Sequence, residues 1–191
     1  MCLILSVSRL DTEKRDARHL LRSLYFGNKS TMVGQIRKYN KSIHLNQVLD
    51  IFKTEEKLLG LVPDDALQKE LDDLEKNLLN GKGEDNNNKW SIKAWVIVDG
   101  DVVIGFAYAR EYNLETKLNC LYILKDYKRK GCGTKLMKQV KQNCKSPIKL
   151  AVYEENKIAV AFYNKHEFLF TRYGVEHDRK YLVMTWHKAK S

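Results

Sequence analysis

The sequence predicts an α/β fold: a mixed, mostly antiparallel central sheet, crossed once by a strand–helix–strand connection, with helices on both of its faces. Three observations carry this. Apolar residues recur at helical spacing before residue 80 and at a spacing of two from residue 90 to 110, and then alternate between strand-like and helix-like segments. Only two prolines interrupt 191 residues, which fits long continuous elements. With 43% hydrophobic and 30% charged residues, the composition is that of a globular chain and excludes disorder and low complexity.

Taken in order, residues 2–7 read as a first strand. The stretch is apolar, but no basic region precedes it and no small-residue cleavage site follows, so it is not read as a targeting signal. From Asp11 the pattern is helical, with Ala17, Leu20, Leu21 and Leu24 on one face and Gly27 as the stop. Val48, Leu49, Ile51 and Phe52 point to another helix. Asp64 is expected to cap a third, in which Leu67, Leu71, Leu74 and Leu78 form one stripe, ended by Asn80-Gly81. Residues 81–88 (GKGEDNNN) hold turn formers and no apolar side chain, and are expected to be a flexible loop.

Beyond it, residues 90–98 and 102–110 read as a hairpin closed by Asp99-Gly100. Residues 118–124 form a largely apolar, hence central, strand. Residues 131–144 read as a helix with Leu136, Met137, Val140 and Cys144 inward. A short strand (148–152), a helix (157–165) and two closing strands (168–173 and 181–186) complete a single domain spanning residues 1–191.

The formal charge of +10 is uneven. Residues 1–89 carry 15 Lys/Arg against 14 Asp/Glu, and residues 90–191 carry 19 against 10. Between Lys125 and Lys149, nine basic residues face only Asp126, a local field that attracts phosphates on nucleic acid or on a small anionic cofactor. No apolar run approaches the roughly 20 residues of a membrane span, so no membrane partner is expected. Cys2, Cys120, Cys132 and Cys144 lie far apart, which suits reduced thiols in a cytoplasmic protein. The five histidines show no metal-ligand spacing, and no metal is expected.

The chemistry is concentrated in residues 121–137, LYILKDYKRKGCGTKLM. A buried strand runs through a basic turn and Gly131-Cys132-Gly133 into an amphipathic helix. That order places unpaired backbone N–H groups at a helix N-terminus, where the helix dipole favours an anion and glycine lets a phosphate approach the chain. Two other phosphate motifs are excluded: GxxxxGK[ST] is absent, and a dinucleotide fingerprint would need a third glycine.

Strand, [R/Q]xxGxG/A, helix resembles the acetyl-CoA-binding signature of the GNAT superfamily of N-acetyltransferases, here Lys128, Arg129, Lys130, Gly131, Cys132, Gly133 and Thr134. Lys128 stands where that family usually has Arg or Gln. Glu155-Asn156, Ala159 and Phe162-Tyr163 are similar to its "N…A…FYxKxGF" pattern, with Glu167 at the usual glycine. The resemblance covers about residues 90–187. It implies a GNAT-like core with acetyl-CoA as co-substrate, its pyrophosphate on the loop amides, its arm near Asn156, and Tyr163 as general acid to the departing thiolate. Residues 1–89 would shape the acceptor side. Homodimers are common in the family, so a homodimer is one expected assembly.

Direct transfer to an amine makes further demands. Backbone N–H groups around Ile123 and Leu124 are expected to stabilise the oxyanion. A lysine-type amine, with a pKa of about 10.4, must lose a proton before it attacks. The family position for a catalytic glutamate falls on Lys117, which cannot serve as the base, so Glu115 is the expected one, with Glu111 and a water-mediated path as alternatives. The acceptor is an amine on a protein, a small molecule or a nucleic acid. The alternative function is a nucleic-acid-binding or nucleic-acid-modifying protein on the same scaffold, tracking phosphates with the stripe of residues 125–149.

Overall fold

The computed structural model describes residues 34–189, which belong to one compact unit. The expected strand at residues 2–7 and the helix from Asp11 lie outside the described residues.

The first described strand, β1 (Gln35–Lys38), runs antiparallel to the strand that starts at Asn88. Helix α1 (Lys41–Leu59) follows, its N-terminus capped by the Asn40 side chain on the Ser42 N–H at 3.0 Å and its end turned by left-handed Gly60. Helix α2 (Asp64–Asn80) is the leucine-striped helix. Asp64 is its first residue and not its cap, which is Pro63. The acidic pair Asp64-Asp65 acts through the helix dipole instead. Left-handed Gly81 ends it as expected.

Residues 81–88 are not a free loop. Strand β2 (Lys82–Asp85) pairs with the start of β3 (Asn88–Asp99) across a tight turn in which Asn86 and Asn87 both have positive φ. Asparagine tolerates that conformation, which matches the turn to the strand twist. A Cβ at Gly83 would stand 2.4 Å from the Trp90 ring, so the missing side chain makes room for the tryptophan.

Strands β3, β4 (Val102–Glu111) and β5 (Thr116–Ile123) form an antiparallel meander. Helix α3 (Cys132–Asn143) crosses to β6 (Ile148–Tyr153), and α4 (Lys157–Lys165) leads to the hairpin β7 (Leu169–Glu176) and β8 (Arg179–Trp186). The strand order is β1-β3-β4-β5-β6-β8-β7, with β2 beside β3, and among the described strands only β5 and β6 are parallel. The central position expected for β5 holds.

Alternation along the strands feeds two cores. One face sends Val96, Val98, Phe106, Tyr108 and Cys120 against α1 and α2, and the other packs Trp95, Ile97, Ile104, Leu118 and Ile123 against α3. Gly105 sits at the head of the meander opposite Ile123. A Cβ there would lie 2.4 Å from Ile123 Cδ1 and 2.6 Å from the Tyr122 carbonyl oxygen, and backbone cannot step aside. Gly105→Ala is therefore expected to lower unfolding stability by about 1–3 kcal/mol. Unchanged denaturant unfolding would contradict the packing described.

Candidate active site

The parallel pair at the centre of the sheet is short. Thr116 and Lys117 face Ile148 and Lys149, and beyond these two rungs β5 and β6 part. The backbone of β5 continues to Ile123 with one edge bonded to β4 and the other turned to the gap. Leu124 donates its N–H to the Ile104 carbonyl at 2.9 Å, so by antiparallel alternation the Ile123 N–H points away from β4, into the split. This corrects the expectation for Leu124, whose N–H is already committed. The opening lies at the carboxyl end of parallel strands, where open α/β sheets place their ligands.

The phosphate-type loop stands at its mouth. A 3₁₀ turn (Lys125–Tyr127) leads through Lys128 to Arg129 and Gly131, both left-handed at φ +62° and +82°, and then into α3. The cap of α3 is Gly131, which has no side chain to occupy the first-turn N–H groups of Cys132, Gly133 and Thr134. Gly133 presses on Phe162, since a Cβ there would lie 3.3 Å from the ring. Cys132 is buried in the core on the α3 side, a packing group. The Thr134 hydroxyl is 3.4 Å from His166 Nε2. Burial first, then Lys141 and Lys165, lowers the His166 pKa and favours the neutral ring.

Lys130 lies over the Tyr127 ring at 5.6 Å. Lys128 is paired across to α1. Its Nζ is 2.5 Å from Glu55 Oε2 on α1. Asn156 caps α4, its Oδ1 accepting the Ala159 N–H at 3.1 Å, so the amide nitrogen plays no part in the cap. Glu167 adopts φ +61°, the left-handed conformation that explains why glycine is usual there, and it pairs with Lys141 at 3.3 Å.

Tyr163 sits on α4, edge-on to Phe162 and Phe168. Burial, reinforced by the nearby Cys120 thiol, pushes its phenol pKa above the ordinary value. On the other side of the sheet the Tyr122 hydroxyl donates to Glu56 Oε1 on α1. Tyr122 is stacked on Phe106 and edge-on to Phe52. Its pKa is pushed up by burial and the Glu56 charge, with Cys120 and Tyr163 also contributing. Burial raises the Glu56 carboxyl, the Tyr122 hydrogen bond opposes that, and Glu55 adds to it. Tyr122 and Glu56 thus lie on the α1 side of the sheet and Tyr163 packs on the α3 side.

Glu115 is not among them. It precedes β5 at the far end, paired with Lys149 at 2.5 Å, and eight strand residues at about 3.3 Å each separate it from the loop. Glu111 is held there too, accepting the Lys145 N–H at 2.9 Å. The sequence reading missed Glu55 and Glu56. The signal was available: they lie four residues after Ile51 and Phe52, on the apolar stripe of α1, where an unpaired carboxylate would be costly.

Part of the basic stripe is engaged within the fold. Lys128 and Lys149 hold Glu55 and Glu115, Lys135 reaches the Gly34 carbonyl at 3.3 Å, and Lys141 reaches the His166 carbonyl at 2.6 Å and lies 4.6 Å from the Trp186 ring. Among the described residues, no helix is long and apolar enough to cross a membrane.

Comparison with protein families matches residues 47–168 to the acetyltransferase (GNAT) family. Among solved structures, the fold is similar to that of PaiA N-acetyltransferase from Thermoplasma acidophilum in complex with coenzyme A, with a TM-score of 0.66 and 17% identity over 82% of this chain and 100% of that one. An acetyltransferase from Streptococcus agalactiae gives 0.63 and 17% over 82% and 99%. NAA60 from Arabidopsis thaliana in complex with a bisubstrate analogue gives 0.59 and 15% over 81% and 97%. Curated protein sequences give no match.

Proposed function

The chain belongs to the acetyltransferase (GNAT) family, and from that premise we propose that it moves an acetyl group from acetyl-CoA directly to an amine held on the α1–α2 side of the split. The observation that carries the reading is the gap between β5 and β6, with the glycine-capped start of α3 at its mouth. The residues present suit an anionic, slender co-substrate. The first-turn N–H groups of Cys132, Gly133 and Thr134 take the pyrophosphate, Arg129 and Lys130 add positive charge, and the bare edge of β5 offers partners to an amide-bearing arm. The Asn156 amide nitrogen, which the helix cap does not use, donates to that arm.

In the reaction, the amine nitrogen bonds to the thioester carbonyl carbon and the carbon–sulfur bond breaks. The Ile123 N–H faces the oxygen that gains charge. Tyr163 gives its proton to the departing thiolate. Glu56, and not Glu115, is the carboxylate on the acceptor side, and its raised pKa suits it to take the proton the amine sheds. The nucleic-acid reading has less behind it, because Lys128, Lys135, Lys141 and Lys149 of the stripe have partners within the fold.

Calorimetric titration with acetyl-CoA at about 0.15 M salt tests the proposal. Binding in the micromolar range is expected, followed by labelled acetyl transfer to one of a panel of peptide, small-molecule and nucleic-acid-linked amines. A folded protein that binds no acetyl-CoA would overturn it.

A further inference from the structure

Glu55 is 2% exposed, and both of its oxygens are taken up by the phosphate-type loop. Oε1 accepts the Lys125 N–H at 3.1 Å, and Oε2 meets Lys128 Nζ at 2.5 Å. These two partners bracket the 3₁₀ turn, which closes on itself through the Tyr127 N–H to the Leu124 carbonyl at 2.8 Å and the Lys128 N–H to the Lys125 carbonyl at 3.2 Å. The carboxylate is a peg driven from α1 into the inner side of the turn. The residues that follow the turn then carry the loop through two left-handed positions into α3.

We propose that Glu55 is a positioning residue for the cofactor loop, and that Lys128 serves as the loop's staple to α1 and not as a phosphate ligand. The inference rests on the acetyl-CoA reading given above. Lysine supplies one compact charge, and a 2.5 Å contact to a buried carboxylate commits it. Without Lys128 the Glu55 charge would be buried with a single donor, a state that drives the carboxylate to seek water and shifts the turn. The neighbouring Glu56 holds Tyr122, so one helical step of α1 fixes the cofactor loop with one carboxylate and the acceptor side with the next.

The two roles for Lys128 predict opposite signs. As a staple, Glu55→Gln and Lys128→Met each weaken acetyl-CoA binding by about ten- to thirtyfold, and the double variant is no worse than either single one. Acetyl-CoA KM rises while acceptor KM stays put, and Lys128→Arg, which still reaches Glu55, restores most of the affinity. As a phosphate ligand, Lys128→Met alone would weaken binding, and Glu55→Gln would free the lysine and tighten it. Calorimetry on the full chain, with thermal melts to verify folding, decides. Tightened or unchanged binding in folded Glu55→Gln overturns the inference while leaving the acetyl-CoA reading intact. Absence of binding by the wild type overturns that reading, and the inference falls with it.

Discussion

Glutamate at both Gly131 and Gly133 is expected to weaken acetyl-CoA binding at least a hundredfold, leaving no titratable heat at micromolar concentrations. At Gly131 the obstacle is not space, since a Cβ would meet nothing within 4 Å, but the left-handed φ of +82°, which costs an ordinary residue about 1–2 kcal/mol. At Gly133 a Cβ must displace the Phe162 ring from 3.3 Å. Charge does the rest. Two carboxylates beside a pyrophosphate oppose it by about 3 kcal/mol each at 5–6 Å and an effective dielectric of 20, and a hundredfold loss needs only about 2.7 kcal/mol. Calorimetry at physiological salt is the measurement. A variant that melts like wild type yet binds within threefold of it would remove the loop from the cofactor site.

The second large effect concerns the proton. Tyr163→Phe keeps the ring between Phe162 and Phe168 and deletes only the hydroxyl, so kcat is expected to fall by about 10²–10⁴ while acetyl-CoA KM changes little. The pH profile separates this from a structural effect. Burial and Cys120 hold the Tyr163 proton above the ordinary phenol value, so the donor stays protonated through neutral and mildly alkaline pH, and wild-type kcat shows no decline from it there. On the proposed mechanism the acid limb of the pH profile belongs to Glu56. Its raised carboxyl must lose a proton to act as base, so kcat/KM climbs with pH through a value above the ordinary carboxylate one. The sign for stability is opposite: a raised carboxyl favours the fold while protonated, and that contribution fades as pH rises through the folded value. Retention of more than half of kcat by Tyr163→Phe would end its role as general acid.

Much of this architecture was legible in the residues, for identifiable reasons. The meander, the crossover and both sequence motifs announce themselves because the period of the apolar pattern changes where the element type changes. Strand β1 escaped because QIRK holds a single apolar side chain, Ile36, and a mostly exposed edge strand needs no alternation. The β2–β3 hairpin was hidden by its polarity, its signal resting on Asn86 and Asn87 and not on hydrophobic spacing. Glu115 drew the eye through its distance along the chain from the glycines, but a strand converts sequence distance into length and carried it away. Glu55 and Glu56 approach from α1, about 70 residues upstream, a proximity that only the tertiary fold creates.

The two-rung seam between β5 and β6 has a consequence of its own. An unpaired strand edge is ordinarily a hazard, because any passing chain can add to it and seed aggregation. Here the bare edge lies inside the sheet, between β5 and β6, so a foreign strand would have to be threaded rather than laid alongside. The protein thereby keeps the adhesive quality of an edge while screening its clientele by girth: whatever completes this sheet must be thin, extended and supplied with its own amide groups.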